Sequence, residues 1–171
     1  MIKPILFLDF DGVLNTVRYT MSLLKHTSVL KDQYGSLFDP TSVDNLKKII
    51  DATDAEIVVS SSWRYKGLES LQEMWKERKL PGVLTGITPY IMPQPDITAR
   101  RGREIEMYLD QLTQTEKVTR KYVIIDDIDD FLPTQQGNTV ITDTERGITQ
   151  YEVEKAVSIL KFGRYIKKYE I

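Results

Sequence analysis

Two aspartates close to the N-terminus have the residue type and the spacing for metal-assisted chemistry. Both follow four apolar residues in the string Ile5-Leu6-Phe7-Leu8-Asp9-Phe10-Asp11-Gly12-Val13-Leu14, which predicts a strand buried on both faces. Because Asp9 and Asp11 are two positions apart, both carboxylates point to the same side if the backbone is extended. Gly12 tolerates the dihedral angles of a sharp turn away from the strand. Adjacent carboxylates repel each other unless a cation lies between them, and we expect a hard divalent ion such as Mg²⁺.

This string resembles the first motif of the haloacid dehalogenase (HAD) superfamily, most of whose members are Mg²⁺-dependent phosphohydrolases. The family pattern is an apolar strand followed by Asp-x-Asp-Gly, and Asp9-Phe10-Asp11-Gly12-Val13-Leu14 fits it throughout. A bare Asp-x-Asp pair also occurs on ordinary loops. The apolar strand before the pair and Gly-Val-Leu after it favour the motif over a chance pair.

The composition limits the classes of function that the chain can have. Its 171 residues, 41% hydrophobic and 28% charged, predict a soluble globular protein with one domain over residues 1–171. The net charge of −2 gives no overall attraction to nucleic acid or to an anionic membrane. The absence of Cys excludes disulfides and thiolate catalysis, and the single histidine, His26, excludes a multi-histidine metal site. Without a signal peptide or an apolar run of about 18 residues, we expect a cytoplasmic protein with no membrane contact and no obligate protein partner.

Apolar strands alternate with amphipathic helices along the chain, which predicts an α/β fold with a doubly wound parallel sheet and helices on both faces. Strands are predicted at 4–8, 56–60, 83–87, 122–125 and 139–141, and helices at 41–54, 67–79, 102–113, from Thr149 onward and at 162–171. Capping boxes are indicated by Thr41 with Asp44 and by Thr149 with Glu152. Residues 14–40 are predicted to form an irregular flap with one short helix near 20–25. The HAD-like fold that the resemblance implies would therefore carry a small flap and no large cap domain.

Polar residues follow two further strands, at the edge of a parallel sheet where ligands bind. Ser60-Ser61-Ser62-Trp63-Arg64 offers hydroxyl and backbone N–H groups for an oxyanion, and the resemblance maps the second HAD motif onto Ser60. Asp126-Asp127-Ile128-Asp129-Asp130 directly follows a buried strand, which favours metal ligands over a solvated acidic loop. The resemblance implies that Asp127 is the metal ligand and Asp126 its close support, with Asp130 as the alternative.

A phosphate with two negative charges needs a protein cation beside these carboxylates. The third HAD motif usually supplies a Lys, and the sequence departs from this pattern because no Lys lies between Lys79 and Lys117. Three arginines lie in the corresponding place, at a helix start marked by Gly102: Arg100, Arg101 and Arg103. Arginine can bind phosphate oxygens bidentately, so Arg101 is the first choice and Arg100 the second. The alternative is that all three form only a solvated basic patch.

Several other residues are candidate contacts to substrate. Ser61 and Arg64 follow Ser60, and Arg64 could instead be a cation at a helix end. Asn15 and Arg18 lie in the flap, where a solvated loop is the simpler interpretation. Trp63 could stack on a nucleobase, although a buried structural tryptophan is the more common case.

The Ser-Ser-Trp-Arg string, the Arg-Gly-x-Glu-Ile helix and Ile-Asp-Asp are together similar to the HAD subgroup of bacterial RNA-repair proteins. This similarity suggests a phosphorylated nucleic-acid end or a nucleotide as the substrate. It implies a phosphatase in which Asp9 forms an aspartyl-phosphate and Mg²⁺ is held by Asp9, Asp127 and the backbone carbonyl of Asp11. In the same mechanism Asp11 acts as acid and base, and Ser60 and Arg101 hold the transferring group.

Other classes of function fit the sequence less well. A nucleotide kinase is disfavoured because the chain has no Gly-x-x-x-x-Gly-Lys-Ser/Thr string. A cysteine phosphatase is excluded, and a dehalogenase would not need the acidic fourth motif. The remaining alternative is a non-catalytic HAD-like module that binds Mg²⁺ and a phosphorylated partner without turnover.

Overall fold

A five-stranded parallel sheet forms the centre of the computed structural model, which describes residues 2–166. In chain order the strands are β1 (Ile5–Leu8), β2 (Lys31–Asp32), β3 (Gly35–Ser36), β4 (Glu56–Val59), β5 (Leu84–Ile87), β6 (Tyr122–Asp126) and β7 (Thr139–Ile141). The main sheet has the order β5-β4-β1-β6-β7, and β2 and β3 form a separate antiparallel pair. The first strand of the chain therefore lies in the middle of the sheet.

Helices cover both faces of the sheet, as a doubly wound fold requires. They are α1 (Val17–His26), α2 (Pro40–Thr53), α3 (Leu68–Glu77), α4 (Arg100–Asp110), α5 (Gln114–Thr119) and α6 (Gln150–Phe162), with short 3₁₀ turns at Ser62–Lys66 and Pro133–Asn138. Leu6 and Leu8 of β1 point into a core formed with α2, α3 and α6, whereas Ile5 and Phe7 point into a smaller core with α4. Successive side chains of β1 therefore point to opposite faces of the sheet, and all of them are buried. A central strand covered on both faces confirms the predicted α/β fold.

The flap is more regular than the sequence predicted. Helix α1 runs over ten residues rather than a short stretch near 20–25, and β2 and β3 follow it as a small hairpin. Thr16 caps α1 by accepting a hydrogen bond from the backbone N–H of Tyr19, and its hydroxyl donates to Asp39 at 2.8 Å. No residue of α1 is buried, and its apolar residues Val17, Met21 and Leu24 are exposed rather than packed into a core.

Other boundaries also differ from the predicted ones. Asp39, not Thr41, caps α2, because its carboxylate accepts from the N–H of Thr41 and Pro40 occupies the first turn. Helix α4 begins at Arg100 rather than at residue 102, and α5 was not predicted. The predicted terminal helix at 162–171 is wrong for its first part, since α6 ends at Phe162 with Gly163 in the left-handed conformation. Residues 167–171 of that helix lie outside the described residues.

The capping box at Thr149 and Glu152 is confirmed. The carboxylate of Glu152 accepts from the backbone N–H of Thr149 at 2.8 Å, and the hydroxyl of Thr149 accepts from the backbone N–H of Glu152 at the start of α6. No large cap domain is present within residues 2–166, where the β2–β3 pair is the sole sheet besides the central one. None of the helices in this part of the chain has the length and apolar character needed to cross a bilayer.

Candidate active site

The parallel register brings the ends of three neighbouring strands to one place. Leu8, the last residue of β1, is paired with Val59 of β4 on one side and with Ile125 of β6 on the other. The next residues along these strands are Asp9, Ser60 and Asp126, and all of them are buried. Because the apolar strands fix this register, residues more than 50 positions apart in sequence meet at one edge of the sheet.

Three carboxylates form a compact acidic cluster at this edge. One oxygen from each of Asp9, Asp126 and Asp127 lies within 4.8 Å of the other two. Asp9 and Asp126 are 1% and 0% exposed, and within the described part of the chain Asp9 Oδ1 and Asp126 Oδ2 make no hydrogen bond. Buried carboxylate oxygens without hydrogen-bond donors are unfavourable unless a cation neutralises them. All-oxygen ligands suit Mg²⁺, so this donor set fits such an ion.

Gly12 allows the third aspartate of this cluster to approach the first strand. A Cβ atom at position 12 would lie 2.2 Å from Oδ2 of Asp127, and the backbone φ of Gly12 is +70°. Both observations favour glycine here, because other residues strain at this φ and would also displace the carboxylate. On its other side, Oδ2 of Asp127 accepts a hydrogen bond from Thr144 Oγ1 at 3.1 Å. Thr144 has no sequence signal that could have indicated this contact.

Arg101 is the arginine that faces the acidic cluster. Its Nη1 lies 3.0 Å from Asp126 Oδ2 and 3.5 Å from Asp9 Oδ1, and it donates to the backbone carbonyl of Ser60. The start of α4 packs closely on the loop after β6, since a Cβ on Gly102 would lie 2.6 Å from the backbone nitrogen of Leu132. This close approach brings the guanidinium over the sheet edge, where the third HAD motif is expected to place a cation.

Burial and repulsion perturb the ionisation of this cluster. Burial raises the pKa of Asp9 to about 6, with Arg101 acting in the opposite direction. Burial, together with the nearby charge of Asp9, raises the pKa of Asp126 to about 8. Burial alone would lower the pKa of Arg101, but Asp9 and Asp126 raise it, so the guanidinium stays charged. Three closely spaced carboxylates thus face a single arginine, which neutralises their charge only in part. An acidic cluster of this kind favours the binding of a further cation.

Asp11 does not belong to the acidic cluster, although its spacing from Asp9 predicted a shared cation. Strand β1 ends at Leu8, so both aspartates lie beyond the regular strand geometry that the spacing argument assumes. The carboxylate of Asp11 instead accepts from the indole N–H of Trp63 at 3.1 and 3.2 Å and from Asn15 Nδ2 at 2.7 Å. It is exposed beside the buried acids and lines the open cleft between the sheet edge and the flap.

Ser60 and Ser61 follow β4, which is paired with the strand that ends just before Asp9. Ser60 is buried, and its hydroxyl has no hydrogen-bond partner among the described residues. A hydrogen bond from the side chain of Ser61 lowers the pKa of Asp9, opposing the effect of burial. Ser61 also caps the 3₁₀ turn by accepting from the N–H of Trp63 at 3.3 Å.

Arg64 lies in a buried ion pair rather than in an open site. It is 2.7 Å from Glu104, and the two side chains are 8% and 0% exposed. Arg100 lies 3.8 Å from the other oxygen of Glu104, and Arg103 donates to the backbone carbonyl of Thr98. The pairing of Arg64 favours a structural role over the predicted substrate contact. Glu104 belongs to the Arg-Gly-x-Glu-Ile string, but no role was predicted for it, because an acid on an amphipathic helix is ordinarily exposed.

The remaining candidates have local structural partners. Asn15 stabilises the loop that follows β1. Its side-chain amide donates to the carboxylate of Asp11 and accepts from the backbone N–H of Gly12. Arg18 lies 3.4 Å from Asp39, at the base of the flap. Asp130 accepts from the backbone N–H of Arg101 at 3.2 Å, so it caps the start of α4 and lies outside the acidic cluster.

The sheet order, with a buried aspartate after the central strand and acids after its neighbour, defines a HAD-like Rossmann fold. Residues 5–153 match the family described as the HAD domain in Swiss Army Knife RNA repair proteins, and the chain belongs to this family. The resemblance found in the sequence is thereby confirmed. No curated protein and no solved structure gave a significant match. Membership of the family supports a phosphatase-type hydrolase function in general terms.

Proposed function

We propose that the protein is a Mg²⁺-dependent phosphomonoester hydrolase that acts through an aspartyl-phosphate on phosphorylated nucleic-acid ends. The observation that carries this proposal is the environment of Asp9. Its carboxylate lies at the end of the central strand, with one oxygen free of hydrogen bonds, 3.5 Å from Arg101 and within the acidic cluster. A carboxylate with a free oxygen beside a cation is placed to attack phosphorus.

The metal would be held by Asp9, Asp126 and Asp127, whose oxygens lie within 4.8 Å of one another. When bound, Mg²⁺ would offset the negative charges of the cluster and of the phosphate. This assignment differs from the sequence interpretation in giving Asp126 a direct ligand role beside Asp127. The backbone carbonyl of Asp11 remains a further candidate ligand from the family resemblance.

The chain's own residues would perform the reaction in two steps. In the first, an oxygen of Asp9 forms a bond to phosphorus, the bond from phosphorus to the ester oxygen breaks, and Asp11 gives its proton to that oxygen. In the second, water attacks the phosphorus of the aspartyl-phosphate while Asp11 takes a proton from it, which releases phosphate and restores Asp9. Arg101 and the free hydroxyl of Ser60 would hold the transferring group in both steps.

The substrate class rests on two observations. The family description names RNA repair proteins. The sheet edge is open, because the flap contributes only α1 and a short hairpin in the described chain. An open site admits a polynucleotide end, which a closed cap would exclude.

The test is phosphate release from 5′- and 3′-phosphorylated oligonucleotides and from an aryl phosphate, with Mg²⁺ and with excess EDTA. We expect turnover that requires Mg²⁺ and that Asp9→Asn abolishes. Asp129→Asn is the matched control, since Asp129 is an exposed acid of the same run that bonds Gln136. Turnover that survives Asp9→Asn would remove Asp9 from its role. Binding of the substrate by the wild type without any turnover would support the non-catalytic module instead.

A further inference from the structure

A mostly apolar groove of about 660 Å³ opens at the turn after β4, next to Asp11. It is lined by residues from the turn after β4 and from the loop after β5, among them Ser62, Arg64, Tyr65, Thr88 and Tyr90. Nothing in the proposed hydrolysis of the phosphate itself uses this groove. Its volume is in the range of pockets that enclose a small planar ligand.

Two exposed tyrosines give the groove aromatic surface. Tyr65 is 80% exposed and Tyr90 is 58% exposed, whereas the nearby Trp63 is 8% exposed and packs between Phe10 and Phe38. Trp63 is therefore not available to stack on a base, contrary to the possibility raised by the sequence. Exposed aromatic rings next to a phosphate site are the surfaces on which unpaired nucleobases stack.

Positive charge lies close to one of these rings. The guanidinium carbons of Arg64 and Arg100 are 5.5 and 5.8 Å from the ring centroid of Tyr90. Both arginines face the single carboxylate of Glu104, so one positive charge of this group is not neutralised. An aromatic ring with a net positive charge close to it suits the terminal segment of a polynucleotide, which combines a base with anionic phosphodiesters.

The groove is connected to the group that would protonate the leaving oxygen. Ser62, which lines the groove, has its hydroxyl 3.4 Å from Oδ2 of Asp11. The leaving nucleoside must lie next to Asp11 when its oxygen receives the proton. Its base is then within reach of the groove that begins at Ser62.

We propose that this groove binds the nucleobase of the nucleoside that carries the phosphate, with the base on Tyr90. This inference rests on the proposed function and names its leaving group. A second cleft, of about 300 Å³, runs from Asp11 past Thr20 and Met21 under the flap. It is lined by no aromatic side chain, so it offers no stacking surface to a base.

The experiment compares substrates with and without a base. Values of kcat/KM are measured for phosphorylated oligonucleotides with the phosphate at either end and for ribose 5-phosphate, in the wild type, Tyr90→Ala, Tyr90→Phe and Met21→Ala. We expect Tyr90→Ala to lower kcat/KM for an oligonucleotide about 5- to 150-fold, the range for one stacked base. Its kcat/KM for ribose 5-phosphate should change less than twofold, Tyr90→Phe should behave as the wild type, and Met21→Ala should affect neither substrate.

A binding measurement separates this inference from the proposed function. In Asp9→Asn protein, the affinity for a fluorescent phosphorylated oligonucleotide should fall by the same factor when Tyr90→Ala is added. The base-binding groove is overturned if Tyr90→Ala lowers kcat/KM equally for the oligonucleotide and for ribose 5-phosphate. It is also overturned if Met21→Ala selectively lowers kcat/KM for the oligonucleotide. A phosphotyrosine peptide is a further substrate, and a larger effect of Tyr90→Ala on this peptide than on the oligonucleotide would likewise contradict the proposal. If the wild type hydrolyses none of these substrates, the proposed function itself fails, whatever the binding result.

Discussion

Replacing Trp63 by Phe should slow the reaction by disturbing Asp11 while leaving the core largely intact. The indole N–H donates to both carboxylate oxygens of Asp11, at 3.1 and 3.2 Å. The ring itself packs at 5.7 Å from both Phe10 and Phe38, and a phenyl ring would keep most of that packing. The variant thus removes a hydrogen bond to the proposed acid more than it removes hydrophobic contact.

The expected magnitude follows from the strength of that bond. A hydrogen bond to a charged group contributes about 1.5–3 kcal/mol. Asp11 keeps the bond from Asn15, so we take the lower end of this range. A loss of about 1.4 kcal/mol in the transition state corresponds to about tenfold in rate. We therefore expect kcat to fall about tenfold when protonation of the leaving group matters.

The assay uses leaving groups of different acidity. An alkyl phosphate needs its leaving oxygen protonated, whereas p-nitrophenyl phosphate has a stable phenolate leaving group and depends less on a general acid. The tenfold loss should therefore appear with the alkyl or nucleoside phosphate and should be much smaller with the aryl phosphate. A purely structural effect of the substitution would lower both rates alike.

Trp75 provides the matched control. Its ring stacks on Phe10 at 5.8 Å, and its indole N–H donates to the backbone carbonyl of Pro81, away from Asp11. Trp75→Phe should lower thermal stability about as much as Trp63→Phe and leave kcat unchanged. The role of Trp63 as a positioning residue is refuted if the two variants lose activity equally or if the loss in Trp63→Phe is independent of the leaving group.

Two further predictions concern the acidic cluster. Gly12→Ala should lower the free energy of unfolding by more than about 1 kcal/mol and weaken the response to Mg²⁺, because its Cβ would meet Asp127 at 2.2 Å and its φ is +70°. Gly137→Ala, whose Cβ would meet nothing within 4 Å, is the control in the same urea titration, and equal effects of the two variants would contradict the steric argument. Mg²⁺ at about 100 times its dissociation constant should stabilise the wild type by about 2.7 kcal/mol. Thermal unfolding with Mg²⁺ and with EDTA should show this gain in Asp129→Asn but not in Asp126→Asn, and an unchanged gain in Asp126→Asn would exclude Asp126 as a ligand.

The central sheet could be predicted because its strands are short runs of apolar residues that local sequence marks clearly. Strands β1, β4 and β6 have buried side chains on both faces, so their sequences are almost continuously apolar. The flap could not be predicted in the same way. Helix α1 buries no residue, and the bond from Thr16 to Asp39 that fixes its start crosses 23 positions of sequence.

The relation between Asp9 and Asp11 shows the limit of a spacing argument. Residues two apart share a face only while the backbone is extended, and β1 ends before either aspartate. The partners of Asp9 are Asp126 and Arg101, which the sheet register and the packing of α4 bring to it. The partner of Asp11 is Trp63, which the turn after β4 supplies. Neither relation is visible in the local sequence, although each of these residues could be named as a candidate from the sequence, Trp63 as a surface for base stacking rather than as a partner of Asp11.

Glu104 is a buried acid that connects α4 to the groove beside Asp11. An acid on an amphipathic helix is normally solvated, yet this one is fully buried, and two distant segments contact it. Arg64 lies 2.7 Å from one oxygen, and the N–H of Ile91 donates to the other at 2.9 Å. A buried carboxylate is tolerated only when it is paired and hydrogen-bonded, so these contacts tie the turn after β4 and the loop after β5 to α4. The same contacts fix the loop that carries Tyr90, the wall of the groove beside Asp11. The arginine that the sequence offered as a phosphate contact is thus placed to shape the surface that would receive the base.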